Sequence, residues 1–175
     1  MVRHSSKKAV DSLRDQIFAL LSKKKASIED ALKALSQCEA HIQNRVMVEK
    51  IAKECALKLS RFLANEELEL YYDLKRGRHD MGYISKGWED PGFRIGDLIE
   101  IEKSKEELFK GNAYEILRFC ATNGIVLTVE ETKDTITLQM EGVIYSEGFN
   151  KDTFLKTLET LNECIEKAET LIGGG

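Results

Sequence analysis

Side chains able to recognise a ligand or take part in chemistry are densest between Tyr71 and Ile95. That stretch holds Tyr71, Tyr72, Tyr83, Trp88 and Phe93, with Lys75, Arg76, Arg78, His79, Lys86 and Arg94 among them. Cationic groups interleaved with aromatic rings bind phosphates while stacking bases, as single-strand nucleic-acid binders do. Asp73, Asp80, Glu89 and Asp90 bring the local charge close to neutral and weaken that reading. Two others stand beside it: a hairpin with an aromatic anchor under a loop, and a protein-binding patch, since Trp, Tyr and Arg dominate binding hot spots. The candidate contact residues are Tyr72, Arg76, Arg78, Tyr83 and Trp88.

Other constellations are poorer. Cys38 and His41 stand three apart on one helix face, and His79 adjoins Asp80, but a zinc site needs four converging ligands and no second pair has suitable spacing. No metal and no cofactor is expected. Cys120 and His79 could be assembled into a nucleophile and base, yet Cys120 shares an apolar helix face with Ile116 and Leu117, which suits an inert thiol. The glycines at 82, 87, 92 and 96 match neither GxGxxG nor GxxxxGK[ST]. No catalytic residue is nominated.

Composition narrows the class. The chain of 175 residues is 42% hydrophobic and 32% charged, with one proline, as suits a globular protein rather than a low-complexity chain. No apolar run approaches the roughly 18–20 residues that span a bilayer, and the first residues do not resemble a secretory signal. Cys38, Cys55, Cys120 and Cys164 form no CxxC pair. All four lie in segments read as helix, so buried, reduced thiols in a cytoplasmic protein are expected. The net charge of −4 is unevenly spread. Residues 1–62 carry 13 Lys and Arg against 7 Asp and Glu, while residues 96–175 carry 8 against 16. A basic head and an acidic body imply a charged partner for one of them, or packing of one on the other.

Periodicity supplies the elements that must position these groups. Val10, Leu13, Ile17 and Leu21 recur at helical steps, with Ser5 or Ser6 as cap and Lys23–Lys25 at the far end. Ser27 caps a second helix reaching about Leu63. In it Ile28, Leu35, Ile42, Ala56 and Leu63 hold one heptad position, and Ala31, Cys38, Ala52 and Leu59 another. Arg45 and Glu49 interrupt the seam. The pattern predicts an N-terminal helical hairpin over residues 1–65, read either as a dimerisation element or as a helix that packs on the C-terminal domain. From residue 66, Leu68, Leu70, Tyr72 and Leu74 alternate with polar residues as in a half-buried strand. A return strand is expected over 81–84, a loop over 87–92 and a strand over 95–102. Ser104 signals a helix that Asn123-Gly124 ends, starting either there or only after Gly111. Strands over 125–132 and 135–141 form the clearest hairpin, and Asn150 caps a last helix carrying Phe154, Leu158, Leu161 and Ile165.

The order helix 112–123, hairpin 125–141 and helix 151–172, with the Asn123-Gly124 stop and the acidic balance, resembles the C-terminal part of the type III secretion chaperones and their cytosolic relatives. The resemblance implies a small α+β protein, homodimeric, whose sheet and helices hold extended segments of another protein. The fold expected is therefore α+β: a helical hairpin over 1–65, then an antiparallel sheet over 66–175 with helices on one face. The function expected is non-enzymatic protein–protein binding, as adaptor, chaperone or assembly factor, by a homodimer. The alternative is nucleic-acid binding or regulation through the basic N-terminal helices and the 75–88 turn. An enzyme of unknown reaction ranks third.

Overall fold

A computed structural model describes residues 7–24 and 27–173. The Ser5/Ser6 cap, Lys25 and the side chains of Val10 and Leu13 lie outside the described residues. The chain divides into two compact units, Met1–Asn44 and Arg45–Gly175.

The first unit contains α1 (Lys7–Lys24) and the first part of α2 (Ile28–Glu54), the helical hairpin expected at this end. Ser27 caps α2 as expected: its hydroxyl accepts from the Asp30 amide at 3.1 Å, and the Ser27 amide donates to the Asp30 carboxylate at 3.2 Å. The reciprocal pair satisfies two amide donors that a helix start otherwise leaves unbonded. Most apolar residues of this unit whose side chains are described are exposed, among them Phe18, Leu20, Leu32 and Leu35; Ile28 is 82% exposed. Cys38, expected to be buried, is exposed as well.

The second unit is a six-stranded antiparallel sheet with helices. Its strands are β1 (Lys58–Leu63), β2 (Leu68–Arg76), β3 (His79–Gly87), β4 (Gly92–Glu102), β5 (Ile125–Glu131) and β6 (Thr135–Tyr145). α3 (Glu106–Thr122) lies between β4 and β5, and α4 (Lys151–Leu171) follows β6. The strand order β1-β2-β3-β4-β6-β5 inserts β6 between β4 and β5. The α+β class, the C-terminal hairpin and the order of the last four elements match the sequence reading.

The sheet begins earlier than expected. α2 ends at Glu54, not near Leu63: Ala56 takes a left-handed φ of 55°, and the Leu57 amide bonds back to the Ala52 carbonyl at 2.8 Å. That is a Schellman stop without the glycine that usually announces one. Residues 58–63 then pair with β2 as an edge strand. Val48, Ile51 and Ala52 of α2 join the buried cluster of Leu70, Tyr72 and Leu74. The last turns of α2 and the strand after them thus belong with the sheet, where a boundary at residue 65 was expected.

Other boundaries shift less. β3 and β4 are longer than the periodicity suggested, leaving only a short turn between them. α3 runs unbroken through Gly111 and is preceded by a 3-10 turn, Lys103–Lys105. Ser104 does not cap it, because its hydroxyl bonds to Glu102 instead. Gly124 is left-handed at φ 72°, as the Asn123-Gly124 stop required. Asn150 forms a full capping box with Thr153. α3 and α4 cover one face of the sheet, burying Phe93, Ile95, Leu138 and Met140 with Phe154, Leu158 and Leu161.

Candidate functional site

The opposite face of the sheet carries an open groove of about 930 Å³ crossing five strands from β2 to β5. Strand alternation puts its lining there. Tyr71 shares the face opposite to Leu70 and Leu74, and the register pairs Tyr71 with Ser85 and Ser85 with Arg94. Tyr83 pairs with Gly96, whose missing side chain leaves room for the phenol: a Cβ on Gly96 would lie 2.6 Å from the ring. Gly82 has φ 81° at a bulge in β3, and a Cβ there would meet the Gly96 carbonyl at 2.2 Å. The two glycines thus let β3 and β4 approach and Tyr83 lie across them. Tyr71 stacks on Tyr83 at 5.3 Å between centroids.

A polar network fixes the floor. Tyr83 Oη donates to Glu141 at 2.7 Å, and Gln139 Nε2 donates to Tyr83 Oη at 2.8 Å and to Glu141 at 3.1 Å. Arg94 reaches Glu141 at 3.4 Å and Asp90 at 3.1 Å. The bond from Arg94 holds the Asp90 carboxyl below its ordinary range. Burial, with the Glu141 hydrogen bond, pushes the Tyr83 phenol well up. Burial first, then Asp73, pushes Tyr71 up to about 12.

The rim at the β3–β4 turn is anchored from below. A bulge in β2 between Leu68 and Leu70 places Glu69 against Lys86 at 3.1 Å, and both are buried. Lys86 Nζ also donates to the Asp90 carbonyl at 2.7 Å, and Asp90 Oδ2 accepts from the Gly87 amide at 3.0 Å. The turn so held carries Trp88, whose indole N–H donates to the Asn65 carbonyl at 2.8 Å and whose ring remains 39% exposed at the groove.

Of the five residues singled out from the sequence, the structure brings Tyr83 and Trp88 together here. Arg76 ends β2 and Arg78 lies in the turn between β2 and β3, and neither lines the groove. Tyr72 is a correction. It shares the apolar face of β2 with Leu70 and Leu74, is 5% exposed, packs on Phe62 and donates to Glu49 at 3.1 Å. Arg45 binds the same Glu49 at 2.8 Å and lies over Phe62 at 4.7 Å. Tyr72 is thus a core residue with a satisfied hydroxyl. Sequence reasoning missed Tyr71, Ser85, Gln139 and Glu141. Tyr71 was recoverable from the alternation of β2, whereas Gln139 and Glu141 reach the site only through the β4–β6 pairing.

Elsewhere Cys55, Cys120 and Cys164 are buried free thiols. Burial pushes Cys164 up to about 12, the opposite of what activates a nucleophile. Among the described residues no three His, Cys, Asp or Glu side chains are grouped to hold a metal ion. No described helix is long and apolar enough to cross a membrane.

No protein-family model and no curated protein matches this chain. A solved structure is similar in fold: the crystal structure of an uncharacterized protein from Methanothermobacter thermautotrophicus, with a TM-score of 0.57 and 12% identity, over 74% of this chain and 96% of that one.

Proposed function

We infer that this protein is a non-enzymatic binding module for another protein, with the open sheet face as its docking surface. The observation that carries the reading is the groove itself: a broad concave surface offering Tyr71 and Trp88 above a floor in which Tyr83, buried at 7% exposure, and its polar partners satisfy one another. Aromatic side chains on a fixed, preorganised floor are what binding hot spots use. Tyr83, Gln139 and Glu141 bond to one another and Arg94 ties Glu141 to Asp90, which builds a rigid platform rather than a poised acid–base pair. The resemblance of residues 112–172 to type III secretion chaperones supports the same reading, as adaptor, chaperone or assembly factor. The buried free thiols suit a reducing cytoplasm.

Homodimerisation through the first unit is part of the reading. Ile28, Leu35 and Ile42 repeat at heptad spacing and are exposed, as the apolar seam of a helix that meets another helix would be. Nucleic acid is the weaker alternative, because the charged residues lining the groove are carboxylates apart from Arg94.

Trp88→Ala tests the reading. Partner proteins captured from a nuclease-treated source lysate should be lost while the melting temperature stays within about 3 °C, as for a side chain outside the core. Undiminished capture would overturn it. For the dimer, Leu35→Glu with Ile42→Glu should halve the mass measured by light scattering.

A further inference from the structure

Resting on the protein-binding reading, we propose that the groove's occupant is an extended, Lys- or Arg-bearing segment of the partner, lying across strands β2 to β5. Six carboxylates line the groove, at Glu66, Glu67, Glu89, Asp90, Glu130 and Glu141, against the single cation Arg94. Arg94 is already bound to Asp90 and Glu141. Glu66, Glu67, Glu89 and Glu130 have no cation partner among the described residues, so the uncompensated charge sits at the groove's two ends. Glu130 on β5 marks one end, and Glu66, Glu67 and Glu89 beside β2 and the Trp88 turn mark the other. Like charges concentrated along a concave wall raise the local potential and draw the opposite charge.

A second observation points to a ligand independently of charge. Ser85 on β3 is 6% exposed, lines the groove, and its hydroxyl has no hydrogen-bond partner among the described residues. Its oxygen opens onto the groove, so a main-chain group laid along the groove can bond it in place of water. The rings complete the fit, since Tyr71 and Trp88 offer π faces beside the acids, where a guanidinium or ammonium group is held best.

Dimensions select a peptide. The lining runs over five adjacent strands, four spacings of about 4.8 Å, or roughly 19 Å. An extended chain of about six residues has that length at about 3.3 Å each.

The test titrates the full-length protein with the acetylated, amidated hexapeptide Arg-Ala-Thr-Ala-Thr-Arg and reads the emission of Trp88, the sole tryptophan. The expected result is a saturable shift, weakened about tenfold in the combined variant Glu66→Gln, Glu67→Gln, Glu130→Gln, as the loss of three partly exposed ion pairs implies. All three positions are exposed, so the variant should melt with the parent protein. Equal binding of Glu-Ala-Thr-Ala-Thr-Glu, or no change in the variant, overturns the proposal. Spermine binding as tightly as the peptide would make this a small-polycation site and overturn it too. Self-association abolished by the same three substitutions would also overturn it, by assigning the groove to the basic head of a second copy. If the peptide fails while Trp88→Ala still loses its protein partners, the cationic chemistry is wrong and the protein-binding reading stands.

Discussion

Lys86→Met removes the ammonium group that holds Glu69 beneath the groove. The two groups are 3.1 Å apart, with side-chain exposures of 7% and 4%. Breaking a buried pair by deleting one partner costs about 3–5 kcal/mol, because the remaining charge stays desolvated. Domains of this size have only about 5–15 kcal/mol in total. At about 2–4 °C per kcal/mol, the melting temperature should fall by roughly 6–20 °C. The methionine keeps the aliphatic stem, so packing loss adds little. Lys86 also donates to the Asp90 carbonyl, and its removal should loosen the turn that carries Trp88. Urea unfolding at pH 7, followed by circular dichroism and by Trp88 emission, reads both effects. Salt should matter little, since screening acts weakly on buried pairs. Adding Glu69→Leu removes the stranded carboxylate and should restore most of the lost stability. A loss below about 1 kcal/mol in Lys86→Met would show that water solvates the pair. A double variant no better than the single one would assign the loss to the turn hydrogen bonds and refute the ion-pair argument.

Three further outcomes are expected. Ala56→Gly and Gly111→Ala should each stabilise by about 0.5–1 kcal/mol in urea unfolding: Ala56 is left-handed at φ 55°, whereas a methyl group on the helical Gly111 would meet nothing within 4 Å. Stability should fall from pH 10 upward. Burial raises the folded-state pKa of Tyr71 to about 12 and moves Tyr72 and Tyr83 in the same direction. Native phenols therefore keep protons that unfolded ones release above about 10. The stabilisation is complete below pH 10 and is lost towards pH 12, so urea midpoints should drop over that interval and drop less in Tyr71→Phe. Finally, Ellman's reagent at pH 8 should label one thiol rapidly, Cys38, and the other three only on unfolding, because those three are buried.

The starts of α2 and α4 and the C-terminal hairpin were legible because their signals are local. Ser27 and Asn150 are caps whose partners stand three residues away, and Gly124 is required wherever the chain must turn left-handed after α3. The α2–β1 boundary was not legible in the same way. A helical period carries Ala52, Leu59 and Leu63 onto plausible faces, and the residue that ends α2 is an alanine. Yet the seam does break in the sequence, at Arg45 and Glu49. Both turn out to leave the heptad pattern for Tyr72 and Phe62 in the second unit. Charged residues at apolar seam positions marked the division after Asn44, well before the change to strand alternation at residue 66 suggested one.

The site shows a different limit. Parity along β2 places Leu70, Tyr72 and Leu74 on one face and Tyr71 on the other, so one step of alternation decides which tyrosine lines the groove. That step was readable. What could not be read was that β6 enters between β4 and β5 and brings Glu141 and Gln139 to Tyr83 across a separation of more than 50 residues. The acidity of the groove follows from the same insertion. Residues 71–95 have nearly balanced charge in the chain, but Lys75, Arg76 and Arg78 go to the far turn and Lys86 is taken up by Glu69. Glu130 and Glu141 then arrive from the C-terminal hairpin. A segment that suggests phosphate binding by composition thus forms, once folded, one wall of an acidic groove, because the sheet sorts its Lys and Arg residues, Arg94 excepted, away from the face that carries Tyr71 and Tyr83.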